Sequence, residues 1–569
     1  MNSSACTGRR PLIALISNQY LEFHKDIAAK LNQQLKEAGF GLICVSAGPL
    51  EPAPGAATSD LTTRNAFYDV SQRYDVAGFV ILTATIGNHA AASQLEAFVK
   101  QYTHKPVVSF GIDVPGIASA AIDNKQSMSV LMEHMTKDPM RQRFVFIRGY
   151  PNMPDSSRRE ESFREILNEK GISVDESLVV NGNFMTADSY FAMDKLLQRT
   201  RQIDAVVAAS DQMALSAVHA LRKHGLSVPD DVIVSGFNDG LSSSGSLPPV
   251  TTITYSIMEQ VKRTVDSLKQ QIESGIFQHP TRAALHCTTR LVIRESSDLD
   301  KQSNNAITAA NNSRLFDAQH FQSSIISELS TLKPPSEINV QEVVDDIVSM
   351  LVNGSEECNA RLKQALQRLH NHPDDIYWWR HLHYQLGSGL QQYGTVGQSP
   401  QALWLISKTL SQIHETLWNV EASLQFEESR FQEVQFRLRL NLNASTSLQQ
   451  LKDTLVQLAN CYPGLLAFLC LYDNPGKQPD ATATLAFQFP ANLLDYPDTK
   501  SFPTKDILPL GFLHEHNEGP FIIEPLCSGL THLGYIVFEV ANPAYRAKVN
   551  STALADNISA SLWRIFSTS

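Results

Sequence analysis

The sequence predicts an α/β fold in its first half, built as two doubly wound lobes, then an α-helical spacer and a smaller α+β unit. Three observations carry this prediction. Short apolar runs of strand length alternate with amphipathic helical stretches as far as about residue 296, the rhythm of parallel sheets crossed by helices. A polar, turn-rich segment follows, and after it the periodicity is helical only. From Ser447 the order changes again, to helix, antiparallel strands, helix. With 569 residues the chain exceeds one core and suggests three to four domains. Its 43% hydrophobic and 18% charged residues are ordinary for a globular protein. A net charge of -11 and a pI near 5.9 argue against a broad nucleic-acid-binding surface.

Taken in order, Arg9 and Arg10 before PLIALIS imitate an export signal, but Ser17, Asn18 and Gln19 end the apolar run and no small-residue cleavage site follows. Leu12 to Ile16 is therefore the first strand. Phe23 to Ala38 is an amphipathic helix stopped by Gly39, and Leu42 to Val45 is the second strand. Val76 to Leu82, a helix through Leu95 to Tyr102, and Pro106 to Phe110 continue the lobe, and a helix around Met128 to Met135 closes it. Arg143 to Ile147 and the helix Arg158 to Lys170 open a second lobe. Its central unit is Ile203 to Asp239. An apolar strand to Ala209 leads to a cap at Ser210 or Asp211. The helix carrying Met213, Leu215, Val218 and Leu221 stops at Gly225, and the strand Val232 to Val234 follows. A right-handed strand-helix-strand unit brings Ser210, Asp211, Asn238 and Asp239 to one rim, the edge where open α/β sheets bind ligands.

Three ordered stretches, AASDQMALSAVHALRKHGLSVPDDVIVSGFND, LPPVTTI from Leu247 and RLVIRES from Arg290, resemble the effector-binding region of the LacI/GalR family of bacterial transcription regulators. The resemblance covers Pro11 to Ser296. It implies a periplasmic-binding-protein-like domain over 11–296, with lobe one at about 11–138 and 249–280, and lobe two at about 141–248 and 282–295. Such a domain closes on a small polar metabolite, a sugar or nucleoside. The matching positions make Phe23, Asp123, Arg159, Phe184, Ser210, Asn238 and Asp239 candidate ligand residues. Phe23 and Phe184 match aromatic walls, Asp123 with Asn124 an acid-amide pair on the hinge side, and Arg159 the arginine of an R-x-x-G-F pattern. An aromatic face and polar groups of fixed direction suit such a ligand, and a guanidinium fork holds two oxygens together. Each has a plainer reading: core packing for the phenylalanines, a solvated pair for Arg158 and Arg159, a helix cap for Asp211. The sequence departs from the family at Ser162, where a glycine is usual, and at Asn238, where an acid is usual. An amide cannot accept two hydroxyls as a carboxylate does, which leaves the ligand open. Only about ten residues precede the first strand, where the family has a helix-turn-helix and hinge helix, so direct DNA binding is left open.

The second half begins with a linker, 297–314, and a helical module, 315–440, with helices at Phe316 to Leu332, Val340 to Val352 and Asn359 to His370. Trp378 and Trp379 are expected as core or interface anchors. His370, His372, His381 and His383 follow no recognised metal spacing. From Leu403 to Leu438 apolar residues recur at steps of three and four, interrupted only by Glu427. This heptad seam implies a long helix pairing with its own copy, the plainer reading being a helix packed on its own domain. Residues 447–569 resemble a GAF-type sensory domain by pattern alone, with strands at Leu465 to Tyr472, Thr484 to Phe489, Phe521 to Pro525 and Leu533 to Val540. Seven scattered cysteines without a CxxC pair suit a reduced, cytoplasmic protein, and no run reaches the roughly 18 apolar residues of a membrane span. No Walker loop, GxGxxG, HExxH or nucleophile elbow is present, so neither an enzyme nor a cofactor is expected. The expected function is a cytoplasmic metabolite sensor, acting as a homodimer on transcription or signalling. The alternative is a sensory input or adaptor of a diguanylate cyclase or histidine kinase system, with a separate output partner and no DNA binding of its own.

Overall fold

The computed structural model describes residues 10–297 apart from 21, 53–58, 241–242, 244–245 and 277–284. It also describes residues 318–568 apart from 330–337, 354, 371–374, 377, 381, 384–385, 387–399, 463, 492, 498–499, 510–511, 516–518 and 541–550. Most of the linker expected at 297–314, together with His372 and His381, lies outside the described residues.

Lobe one runs β1 (Leu12–Ser17), α1 (Glu22–Glu37), β2 (Gly41–Ser46), α2 (Ser59–Ser71), β3 (Gly78–Ile81), α3 (Thr83–Ile86), α4 (Ala92–Lys100), β4 (Val107–Gly111) and β5 (Ala118–Ile122). The strands pair in parallel in the order β5-β4-β3-β1-β2. Lobe two runs α5 (Asn124–Met135), β6 (Phe144–Arg148), α6 (Pro154–Glu169), β7 (Val179–Asn181), α7 (Thr186–Arg199), β8 (Ala205–Ala208), α8 (Asp211–Lys223) and β9 (Ile233–Ser235), with parallel order β7-β6-β8-β9. β10 (Thr252–Tyr255) remains with lobe two. α9 (Ile257–Ser274) returns to pack on α1, and β11 (Leu285–Cys287) pairs with β5 at the edge of lobe one. β12 (Thr289–Val292) crosses back to pair with β10.

The chain thus crosses between lobes at Ile122–Asn124, Tyr255–Ile257 and Cys287–Thr289. This differs from the boundary expected between 138 and 141: Met128, Leu131, Met132 and Met135 of α5 are buried in the core of lobe two, against Phe163 and Leu167. The apolar face of that helix reads the same whichever lobe it covers. Only its packing on α6 and β12 decides.

After the lobes come α10 (Ala318–Leu329), α11 (Val340–Asn353), α12 (Glu356–Gln367) and the 45-residue α13 (Pro400–Ala444). The C-terminal region follows with α14 (Leu448–Asn460), β13 (Leu465–Gly476), β14 (Thr482–Phe489), β15 (Ser501–Pro503), α15 (Phe512–Glu515), β16 (Phe521–Ser528), β17 (Thr531–Val540) and α16 (Ser551–Thr568). Its strands are antiparallel, in the order β16-β17-β13-β14-β15.

This region is not the separate sheet expected from the sequence. β16 pairs in parallel with β2, Ile43 opposite Phe521, Cys44 opposite Ile522 and Val45 opposite Ile523, which makes one 11-stranded sheet. The pairing accounts for β2 itself. An edge strand ordinarily carries charge or proline to blunt its open side, whereas GLICVS has neither and is buried along its whole length. Both faces of the joint are packed continuously. One core unites Ile13, Leu15 and Cys44 with Leu455, Ile522 and Ile558; the other unites Ile16, Val45 and Phe79 with Phe468, Phe521 and Tyr535. A polar tie sits beside it. Arg64 of α2 donates to Glu524 of β16 at 3.3 Å and to Asp556 of α16 at 2.7 Å, and Ser551 Oγ donates to the same buried Glu524 carboxylate at 2.7 Å. Burial pushes the Glu524 carboxyl up, and the Arg64 charge opposes that.

Among the described residues, the seam of α13 is also used within the chain rather than left for a coiled-coil partner. Ile413, Leu417 and Val420 are buried in the helical module with Val344, Leu362, Trp378 and Trp379, while Leu438 enters the first of the two sheet cores. The side chains of Leu403, Ile406, Leu424, Glu427 and Phe431 lie outside the described residues. Removing one member of a buried ion pair strands its partner and typically costs 3–5 kcal/mol. Arg64→Ala is therefore expected to destabilise the protein by about 3 kcal/mol. Calorimetric unfolding should show the loss in one transition shared by lobe one and the C-terminal strands; two transitions, only one of them shifted, would contradict the joint.

Candidate ligand-binding cleft

In each lobe the strand order reverses beside the first strand, between β1 and β3 and between β6 and β8. The crevice outside the carboxyl ends of these strands is where such sheets hold ligands. On lobe one, β1 ends in Ser17 and Asn18, and α1 begins close by. His24 Nε2 lies 3.2 Å from Asn18 Oδ1 and 3.2 Å from Thr85 Oγ1, while its Nδ1 is buried with no partner among the described residues. Burial, with the neighbouring Lys25 charge, lowers the His24 pKa to about 4, so the ring is neutral at ordinary pH. Phe23, beside it, is 46% exposed and meets the His24 ring edge-on.

On lobe two, β6 leads into Gly149 and Tyr150. A Cβ at Gly149 would sit 1.9 Å from the ring of Phe184, so glycine here lets the aromatic approach the backbone closely. Tyr150 stands 6.1 Å from Phe184, and on its other side 4.3 Å from His89 of lobe one, ring centroid to centroid. The three rings form a bridge across the cleft. Asn183 and Phe184 in one loop, and Asn238 and Asp239 in another, all have positive φ, from 51° to 105°. Asparagine and aspartate visit the left-handed region readily, but at Phe184, and at Asn238 whose φ of 105° lies beyond that region, the conformation is of the kind that costs of order 1–3 kcal/mol. Ile507 is the one other such residue among those described.

Arg159 is placed deeper than a rim contact. Its Nε donates to Asn124 Oδ1 at 2.8 Å, its Nη1 donates to the Ala209 carbonyl at 2.6 Å, and the guanidinium stacks 3.7 Å above the Phe237 ring. Asn124 in turn donates to Asp155 Oδ1 at 2.8 Å. Burial raises the Asp155 carboxyl and lowers the Arg159 guanidinium, each opposed by the other's charge. Arg159 thus ties the first crossing to the loops that follow β8 and β9.

Asp123 caps α5, accepting from Gln126 N at 3.0 Å, and Ser210 caps α8 through Met213 N at 3.5 Å. Asp239 accepts from Arg294 Nη2 at 2.7 Å. The Asn238 side chain is exposed on the rim while its backbone N donates to Ile253 O at 2.9 Å. Asp211 accepts from Thr252 Oγ1 at 2.6 Å and from Gly240 N at 2.7 Å, and burial pushes its carboxyl up to about 6. Six of the seven candidates are therefore brought to the lobe-two side and its crossing, and Phe23 stands on lobe one. Asn18, His24, Thr85, His89 and Tyr150 were missed. Their signal was positional, a polar or aromatic residue just beyond an apolar run, as in ISNQ, TIGNH and IRGY.

A two-lobed α/β domain with three crossings and polar groups at both switch points has the architecture of ligand-binding proteins that close like a clamp. Residues 134–297 match the family model described as a periplasmic binding protein-like domain. The transcriptional regulator CelR of Thermobifida fusca is 36% identical over 154 residues, 27% of this chain and 44% of CelR. The regulator DegA of Bacillus subtilis is 25% identical over 263 residues, 46% of this chain and 74% of DegA. A solved CelR–cellobiose complex aligns over 51% of this chain and 86% of its own, at 27% identity and a TM-score of 0.41. In sequence the chain spans under half the length of CelR, 44%. It carries a periplasmic-binding-protein-like domain related to the effector-binding part of LacI-type regulators, with helical and α+β regions beyond it.

A histidine whose folded pKa is depressed contributes stability that is complete above its unfolded value near 6.5 and is lost as pH falls toward 4. Acidification from pH 7 to pH 5 is expected to remove on the order of 2 kcal/mol through His24. In His24→Gln the thermal midpoint should fall less steeply over that interval; an unchanged slope would show that the ring does not titrate as placed.

Proposed function

We propose that this protein is a sensor whose lobes close on a small polar metabolite, a sugar, nucleoside or similar compound, and whose closure is passed on to regulate transcription or signalling. The observation that carries this reading is the strain. Four of the five described non-glycine residues with positive φ occupy the two lobe-two loops beside the cleft, and strain of this kind is retained where it presents groups to a ligand. The unpartnered Nδ1 of His24, the exposed Phe23 and the aromatic bridge give the cleft both polar direction and apolar faces. Phe23, Asp123, Arg159, Phe184, Ser210, Asn238 and Asp239 remain the proposed site. Arg159 acts there chiefly by holding Asn124 and the Ala209 carbonyl in place.

A ligand shifts the lobes only by the difference in its affinity for the open and closed forms. Movement of lobe one against lobe two would be felt by the C-terminal strands, because they share its sheet. The described cysteines are all free thiols, four of them buried, which suits the reducing cytoplasm. Among the described residues no helix is long and apolar enough to cross a membrane.

A second reading, an input or adaptor protein acting through a separate output partner, is favoured by the C-terminal region. Its helix-strands-helix order is similar to GAF-type sensory domains. It has an open pocket of about 770 Å³ between β13, β14 and α16, bordered by Tyr472, Trp563 and Phe566.

Thermal-shift and calorimetric screening with mono- and disaccharides, cellobiose among them, and nucleosides should find a ligand that raises the midpoint and contracts the particle in small-angle scattering. Tyr150→Ala should weaken that ligand at least tenfold with little loss of stability, whereas Arg159→Ala should lose both. No response to the whole panel would remove the sensor reading. Selective gel-shift of the upstream DNA of its own gene would favour direct regulation, and recovery of a kinase or cyclase in a pulldown would favour the adaptor.

A further inference from the structure

Helix α13 carries a second apolar stripe, on the side away from its buried seam. Trp404, Trp418, Phe426, Phe436 and Leu440 are each between 53% and 67% exposed. At 3.6 residues per turn all five fall within about a quarter of the helix circumference, roughly half a turn from Ile413, Leu417, Val420 and Leu438. Large apolar side chains scattered singly on a surface need no explanation, but a line of five along one helix does.

The stripe is also placed symmetrically about Ala422, apolar opposite apolar at two pairs of positions and charged opposite uncharged at three. Eighteen residues either side of it stand Trp404 and Leu440, and four residues either side stand Trp418 and Phe426. Between them Ser411 mirrors Glu433, Glu415 mirrors Ser429, and Lys408 mirrors Phe436. All eleven of these positions are exposed.

We infer that this outer face of α13 binds the same face of a second copy, the two helices running antiparallel across a two-fold axis at Ala422. A two-fold interface is isologous and needs a surface complementary to itself, which is what the mirrored stripe supplies. At its centre the small Ala422 lets the backbones approach, with Trp418 of each copy packing on Phe426 of the other. Each glutamate of the stripe faces a serine. Lys408, which already lies 4.6 Å over the Trp404 ring, meets the Phe436 ring of the other copy.

A parallel pairing in register would instead set Lys408, Glu415 and Glu433 each against its own copy, like charge on like. The five large side chains present on the order of 500 Å² per copy, since a buried aromatic contributes about 150–250 Å² when wholly covered. With flanking residues this approaches the roughly 800 Å² per partner of a stable interface. The face is distinct from the seam buried inside the chain and from the cleft, so a cleft that binds nothing leaves the inference standing.

Sedimentation of the full chain should show a dimer at micromolar concentration. Trp418→Glu, an exposed substitution, should weaken it at least tenfold with unchanged circular dichroism, while Trp563→Glu on α16 should not. The direction is read by cysteine cross-linking. In the antiparallel pair Ser411 lies beside Glu433 of the other copy and about 33 Å from the other Ser411, at 1.5 Å per residue. A mixture of Ser411→Cys and Glu433→Cys chains should form disulfide-linked dimers above the wild-type background, and Ser411→Cys alone should not. A monomeric wild type, a Trp418→Glu dimer of undiminished affinity, or self-linking by Ser411→Cys alone would each overturn the inference.

Discussion

Three register pairs between β2 and β16 join lobe one and the C-terminal strands into one sheet. Backbone hydrogen bonds supply the direction of that contact, and the apolar side chains on both faces of the sheet supply most of its strength, since burial of apolar surface is the dominant favourable term in folding. Everything around the joint follows its geometry. α2 is brought against β16, so Arg64 reaches Glu524, and Thr63 Oγ1 donates to the Gly529 carbonyl at 2.8 Å. Helices α1 and α9 come to share a core with α14 and α16. The helical module between them is an excursion from a sheet that resumes afterwards.

The cleft depends on a different kind of constraint. Arg159 is a buried cation whose hydrogen bonds go to the protein, and stacking on Phe237 fixes its plane. It joins α5, which has only just crossed from lobe one, to the loops after β8 and β9. Those loops carry Ser210, Asn238 and Asp239, the last two with positive φ. A group of this kind sets where the rim lies while leaving the rim's own side chains available. The aromatic bridge through His89, Tyr150 and Phe184 is the counterpart on the solvent side: it spans the lobes by ring contacts, which can be exchanged without stranding a buried polar group.

How far the sequence foretells all this varies with the physics behind each element. β1, β2, β8 and β9 are legible because a strand buried on both faces is an unbroken apolar run. β5, with the residues ASAAI, is not, since small side chains give it no strand-like composition even though it is wholly buried. The α8 unit and its caps are legible through Ser210 and Gly225. The ownership of α5 is not, because an apolar face does not name its partner. The α13 seam was visible as a seam, but periodicity cannot tell a partner from the chain's own module, and here Trp379 and Leu362 cover it. Joining of the two sheets was hidden for a similar reason: main-chain pairing between distant segments leaves no mark beyond the missing edge charges of β2. Motif matching located Arg159, but its bonds to Asn124 and Ala209 exist only in three dimensions, and His24 and Tyr150 belong to no spaced pattern.

The shared sheet has a consequence for how the chain is made. β2 leaves the ribosome about 475 residues before its neighbour β16. At a synthesis rate of about 5–20 residues per second, β2 waits on the order of a minute for its partner. Throughout that interval the nascent protein displays a strand edge without charge or proline, the kind of template on which other chains add and aggregate. Holding by a chaperone, or transient cover from the helices already emerged, is what that delay demands.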